Sequence, residues 1–184
     1  MSAKPILRQR GIEDQAEPAE HAGGVNTSRP SRTAVDGLVR YCEQLMTAAN
    51  VDLVRSIYEA WERGDFSRTP EWAHPEIECA SFGGPVNAGY TGPAAVEEGW
   101  SALLDSIDGA RPEAQQYRDV DEERVLVLGC LRGREKSSGT DVEQLRANLF
   151  RIRDGKVVRL IFYWDRGRAF ADLGLEPDAG ASAP

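Results

Sequence analysis

Residues 141–164 read DVEQLRANLFRIRDGKVVRLIFYW, and this stretch decides the fold. Val142, Gln144, Arg146, Asn148, Phe150 and Ile152 alternate with Glu143, Leu145, Ala147, Leu149 and Arg151; the chain then turns at Arg153-Asp154-Gly155-Lys156 and runs on from Val157 to Trp164. Asp-Gly between two β-rich runs signals a hairpin, because glycine supplies the positive φ that the turn requires. After Arg159 the second run is apolar on both faces, with Leu160, Phe162 and Trp164 on one and Ile161 and Tyr163 on the other. A strand buried on both sides lies in the middle of a sheet, with a helix on one face and a packed surface or a pocket on the other. A pocket is the expectation.

Upstream of the hairpin, Arg124 to Gly133 is a strongly apolar strand, preceded by a turn at Asp121-Glu122-Glu123 and an alternating polar strand from Glu113 to Asp119. Thr91-Gly92-Pro93 opens a helix with Val96, Trp100, Leu103 and Leu104 on one side. His74 to Phe82 is a first strand that runs into a Gly83-Gly84-Pro85 loop, and Thr69-Pro70 starts a short helix with proline at its first position. Before it, Leu53, Val54, Ile57, Ala60 and Trp61 recur at helical spacing, with Asn50 as N-cap and Gly64 just past the end. Downstream, Asp165 caps a closing helix from Arg166 to Leu173 that Gly174 stops. Helices, a strand, a helix, four consecutive antiparallel strands and a terminal helix make an α+β fold, not a parallel one.

The chain has 184 residues, 41% of them hydrophobic, which suits one domain with a tail. Residues 1–45 hold six basic and six acidic side chains, whereas residues 46–184 hold sixteen and twenty-four, so the whole net charge of −8 lies in the later part. Nucleic acid and anionic membranes both require a basic face, and neither is an expected partner. Three separated cysteines (Cys42, Cys79, Cys130) and two histidines (His21, His74) lack the spacing of a zinc or iron site. No run reaches signal-peptide or membrane-span length, so a cytoplasmic location is expected.

From Met1 to about Arg32 large apolar residues are almost missing, and the segment reads as disordered; Val35 to Leu45 reads as weakly helical. Met46 precedes the first strong helix, and translation beginning there would make 1–45 an over-long extension; an intact mass that includes residue 1 would refute this. The expected organisation is an extension over 1–45, one domain over 46–176 and a flexible tail over 177–184.

Several segments together carry a family resemblance. Ile57-Tyr58-Glu59-Ala60-Trp61-Glu62-Arg63-Gly64-Asp65, His74-Pro75-Glu76-Ile77-Glu78, Tyr90-Thr91-Gly92-Pro93-Ala94-Ala95-Val96, Arg132-Gly133-Arg134 with Ser138-Gly139, Phe150 to Val158, and Asp165-Arg166 with Leu173-Gly174-Leu175 resemble SnoaL-like proteins in that order. These belong to the superfamily named after nuclear transport factor two, which includes ketosteroid isomerase, polyketide cyclases and limonene epoxide hydrolase. The resemblance covers Asn50 to Leu175. It implies a curved, mostly antiparallel sheet wrapped around N-terminal helices to form a cone with an internal apolar pocket, no cofactor, and a homodimer formed through the sheet. It also implies a small hydrophobic ligand of polyketide, terpenoid or steroid type, handled by general acid/base chemistry as in an isomerase, cyclase or hydrolase. A non-catalytic binding or dimerisation module of the same fold is the alternative.

Carried over residue by residue, the isomerase's oxyanion tyrosine falls at Ile57, its protonated Asp at Asn148 and its basic Asp near Ala80, two residues from Glu78 on the same strand face. One catalytic Asp of the epoxide hydrolase falls at Phe162. Neither characterised constellation is present. The site implied is therefore this chain's own: Glu78 as general base if it faces inward, Asn148 as hydrogen-bond donor and Arg146 as electrostatic clamp, with a rim glutamate and a solvated arginine as the plainer readings. Ile57, Trp61, Ala80, Phe82, Trp100, Phe150, Leu160, Phe162 and Trp164 are expected to line the pocket. His74 reads as a loop or helix-end residue and Asp165 as a cap.

Overall fold

The computed structural model describes residues 32–83 and 89–177. The expectations for 1–31, for the loop beyond Gly83 and for the final residues lie outside the described residues. The elements are α1 (Arg32–Glu62), α2 (Thr69–Trp72), β1 (Ala73–Phe82), β2 (Gly89–Thr91), α3 (Pro93–Ser106), β3 (Ile107–Asp119), β4 (Arg124–Glu135), β5 (Asp141–Arg153), β6 (Lys156–Tyr163) and α4 (Arg166–Leu173). They form one six-stranded sheet in the order β2-β1-β6-β5-β4-β3, antiparallel throughout except for the parallel pair of β1 with β6.

The hairpin forms where Asp154 and Gly155 take φ of 49° and 70°, so that Arg153 pairs with Lys156 across a two-residue turn. Positive φ at both central positions matches the twist of the flanking strands, and aspartate and glycine tolerate it better than most residues. The hairpin places β6 between β5 and β1, and both faces of β6 are indeed covered. Val157 and Leu160 pack with Trp61, Trp100 and Phe150 beneath the N-terminal helices, whereas Ile161 and Tyr163 pack with Ala169 and Phe170 of α4 on the opposite face. The closing helix forms as its caps require: Asp165 Oδ1 accepts from the Arg168 N–H at 2.7 Å, and Gly174 sits in the left-handed region at φ 63°.

Asn50 does not cap a helix. It lies inside α1, which runs through it from Arg32, and its Nδ2 donates to the Glu122 carbonyl at 2.8 Å, tying the helix to the β3–β4 turn. The outer half of α1 leaves Val39, Tyr41, Leu45 and Met46 exposed, while the inner half buries Val54, Ile57, Tyr58 and Trp61. No helix of the described residues is long and apolar enough to cross a membrane.

Two glycines hold β3 and β4 close. A Cβ on Gly129 would lie 2.6 Å from the Glu113 carbonyl oxygen, and one on Gly133 would lie 2.4 Å from Ile107 Cγ2 and 3.0 Å from the Asp108 carbonyl oxygen. Gly129 meets backbone, which yields less than a side-chain tip, so Gly129→Ala is expected to cost about 1–3 kcal/mol, the range for forcing atoms into a packed site. Urea denaturation checks this, and an unchanged midpoint would contradict it.

Candidate functional site

The inner faces of β5 and β6 carry the pairs Asn148–Phe162 and Phe150–Leu160. Helix α3 lies across them and presents Val96, Gly99, Trp100 and Leu103; β1 adds Ser81, β2 adds Tyr90 and the residue after β6 is Trp164. These side chains enclose a hollow of about 110 Å³. Beside it lies a narrow space of about 20 Å³ over Tyr58, Glu113, Gly129 and Asn148, and Trp100, Arg146 and Phe162 border both. The Trp100 ring stands edge-on to Phe162 at 5.9 Å and packs on Trp61 at 4.7 Å and Phe66 at 4.6 Å, which fixes the roof of the hollow.

The polar groups are few and placed with care. Trp164 Nε1 donates to Ser81 Oγ at 3.0 Å, which sets the indole plane. The Arg146 guanidinium stacks on that plane with Cζ 3.6 Å from the ring centroid, and its Nη2 donates to Gln144 Oε1 at 3.2 Å. Among the described residues no carboxylate lies within ion-pair distance of it. Burial lowers the Arg146 guanidinium to about 10, because removing a cation from water penalises its charged form. Deeper in, Asn148 Nδ2 donates to Tyr58 Oη at 2.6 Å. Burial pushes the Tyr58 phenol far up, so it keeps its proton, and the Asn148 hydrogen bond only partly opposes this.

Three buried side-chain polar atoms of the described residues have no partner: Trp100 Nε1, Arg146 Nε and Asn148 Oδ1. Trp100 and Arg146 border both spaces and Asn148 the narrow one. Buried polar groups are nearly always paired with protein or water, since each unpaired group forfeits its hydration. Two N–H donors and an amide oxygen around one aromatic cavity therefore suit a small molecule that carries oxygen.

A family model described as a SnoaL-like domain matches residues 54–160. The chain belongs to the SnoaL-like family. No curated protein matches it. Among solved structures, an NTF2-like protein from Burkholderia pseudomallei superposes at TM-score 0.58 with 20% identity, over 67% of this chain and 95% of its own. TerC, co-crystallised with polyporic acid, gives 0.57 and 21% over 68% of this chain and 97% of its own. A protein with a ketosteroid isomerase-like fold from Catenulispora acidiphila, in complex with trimethylamine, gives 0.53 and 19% over 72% and 97%. At these identities the likeness shows the NTF2-like fold.

Within this SnoaL-like domain, Arg146, Asn148, Trp100, Phe162 and Trp164 meet at the hollow. Ile57, Trp61, Phe150 and Leu160 do not line it; they are filled core behind it. Glu78, Ala80 and Phe82 are placed wrongly by the reading from sequence, since they face the other side of the sheet. Ala80 and Phe82 pack with the α4 layer, and the Glu78 side chain is 67% exposed with Oε2 3.9 Å from Arg159 Nε. The inward residues of β1 are Ile77, Cys79 and Ser81. Their signal is the plain alternation of Ile77 and Cys79 with Glu76 and Glu78, which outweighs a carry-over from a distant isomerase. Tyr58, Ser81, Tyr90, Val96, Gly99 and Leu103 also line these spaces and were not among the expected residues. Among the described residues no group of three or more His, Cys, Asp or Glu side chains is placed to hold a metal.

Two consequences can be measured. Tyr58→Phe leaves the buried Asn148 amide without its hydrogen bond and is expected to cost about 1–3 kcal/mol, with Tyr58→Phe/Asn148→Leu less destabilised than the sum of the two single changes. Additive losses in urea denaturation would contradict the pairing. Burial also raises Tyr90 and Cys79, each to about 12. A raised pKa favours the neutral form in the fold, so its contribution is full below the unfolded values, about 8.5 for Cys and 10 for Tyr, and is lost as pH rises towards 12. The melting temperature is thus expected to fall above about pH 8.5, with the buried tyrosines ionising only as the protein unfolds. Ionisation of every tyrosine near its ordinary value in a folded protein would contradict this.

Proposed function

We propose that this SnoaL-like protein binds a small hydrophobic molecule of polyketide or terpenoid type in the hollow and polarises an oxygen on it; at about 110 Å³ the hollow is too small for the fused rings of a steroid. The observation that carries the reading is that the three described residues with an unpartnered buried polar atom, Trp100, Arg146 and Asn148, all line the hollow or the narrow space beside it. Trp100 and Arg146 offer N–H donors, and Tyr58, which accepts from Asn148, retains its own proton to donate. Donors fixed in a water-poor site stabilise negative charge as it develops on a carbonyl or enol oxygen, and removing one such donor from an enzyme typically costs 10²–10³ in rate. TerC, which shares the fold, was co-crystallised with polyporic acid, an oxygenated ligand.

A proton-abstracting role for Glu78 has no support in the geometry, because that carboxylate faces water on the other side of the sheet. Glu113, the carboxylate residue along the inner hollow, lies 3.5 Å from Arg132. Binding with polarisation of the ligand is thus better supported than general-base catalysis. Glu78→Gln is expected to leave ligand affinity and any turnover unchanged within twofold; a loss of orders of magnitude in turnover would restore the base.

The test is a thermal-shift screen of hydrophobic carbonyl compounds against the wild type and Gly99→Leu. A Cβ at Gly99 already meets Tyr90 Oη at 3.2 Å, so a leucine there fills the hollow. A compound present at about 100 times its Kd adds roughly 2.7 kcal/mol of stability to the wild type. The same compound should leave Gly99→Leu unshifted. Compounds that stabilise both proteins equally bind elsewhere and refute the assignment.

A further inference from the structure

We propose that the molecule taken by this hollow is an anion, a planar carboxylate or enolate of aryl size, and that Arg146 is the residue that selects it. This rests on the hollow being the ligand site and goes on to assign the charge of what it holds.

Arg146 carries a guanidinium on the inner face of β5 with its Nε buried and unpartnered. Its side-chain contacts among the described residues are neutral: the Trp164 ring at 3.6 Å and the Gln144 amide oxygen at 3.2 Å. A cation half withdrawn from water and left without a counter-charge is costly, and arginine's fork is matched by the two oxygens of a carboxylate. Stacking on Trp164 uses the flat face of the guanidinium and leaves its edge for such a pair.

The neighbouring charges point the same way. Arg166, at the start of α4, donates through Nε to the Arg146 carbonyl at 3.2 Å and through Nη2 to the Gly129 carbonyl at 2.7 Å, so a second cation lies behind the inner hollow on carbonyl and amide oxygens. Glu113 is offset by Arg132. In a chain of net charge −8, the hollow is thus a locally positive site with an aromatic wall. A neutral ligand of the same shape would leave the Arg146 charge uncompensated.

Volume sets the size class. About 110 Å³ accommodates one ring and its substituent rather than several fused rings. The aromatic wall of Trp100, Phe162 and Trp164 suits a flat ring.

The test uses two isosteric probes, benzoate and benzamide, titrated by calorimetry into the full chain as wild type, Gly99→Leu and Arg146→Met, at low and high salt. Benzoate is expected to bind the wild type at least tenfold more tightly than benzamide, with the ratio falling at high salt, and Arg146→Met is expected to bring the ratio close to one. Gly99→Leu should bind neither. Benzamide binding the wild type as tightly as benzoate, with Gly99→Leu binding neither, overturns the anion assignment and leaves the ligand site standing. An unchanged benzoate preference in Arg146→Met overturns Arg146 as the selector. No binding of either probe to the wild type overturns both readings. If Arg146→Met does not fold, the wild-type ratio and its salt dependence decide alone.

Discussion

Trp61→Ala is expected to lower the unfolding free energy by about 3–5 kcal/mol, the range for removing a large aromatic side chain from a packed core. Trp61 is 1% exposed, and the rings of Trp100, Tyr58, Trp72 and Phe150 surround it at 4.7, 5.2, 6.0 and 6.1 Å. Four partners held by α1, α2, α3 and β5 cannot all close on the space it leaves, because each is anchored in a different element. For a chain of this length the loss corresponds to a fall in melting temperature on the order of 10 °C. The same void would let Trp100 drop from the roof, so ligand binding should weaken together with stability. A wild-type midpoint in urea would show that the aromatic cluster is loosely packed and would remove the support on which the hollow depends.

Arg146→Met is expected to act in opposite directions on stability and on recognition. Methionine retains an unbranched chain over Trp164 but carries no charge, so it removes a half-buried cation with no carboxylate at ion-pair distance among the described residues. Replacing a half-buried, uncompensated charge by a packed apolar side chain is expected to leave the ligand-free protein as stable as the wild type or up to about 1 kcal/mol more stable. Selectivity for a carboxylate over its amide should at the same time fall at least tenfold. Loss of stability without change in selectivity would mark Arg146 as a structural residue.

The hairpin and the closing helix were legible because each rests on local chemistry. Asp154-Gly155 can adopt the left-handed pair that a two-residue turn demands, Asp165 can cap and Gly174 can end a helix, and these signals do not depend on distant contacts. The beginning of α1 was not legible in the same way. Residues 32–49 contain one glycine and no proline, and Asn50 resembles a cap locally, but its amide is used by the Glu122 carbonyl across the fold. Strand β2 is three residues long and lies at the sheet edge, too short to show alternation.

The site was legible on β5 and β6, where the one shift in pairing, between Arg151 and Ile152, lies on the turn side of the site and the register from Phe150–Leu160 to Asn148–Phe162 is unbroken, so Arg146, Asn148 and Phe162 were placed together. On β1 the pairing with β6 shifts between Ala73 and Glu78, and counting by twos from a distant enzyme's aspartate selected the wrong face. On α1 the carry-over fell on Ile57, one residue short of Tyr58; a step of one residue turns a helix by about 100°, which is enough to exchange a core side chain for the one that meets Asn148. Tyr90 and Ser81 come from segments whose position only the folded sheet reveals.

The central claim is that the space between Trp100, Phe162, Trp164 and Arg146 receives a ligand. The chain has four tryptophans, so a proton–nitrogen correlation spectrum resolves four indole N–H signals, assignable by single Trp→Phe changes. Titration with benzoate is expected to move the signals of Trp100, whose N–H is unpartnered, and of Trp164, while Trp61 and Trp72 stay within the error of the measurement. Movement of Trp72 with Trp100 unmoved, or no movement at saturating benzoate, would contradict the claim.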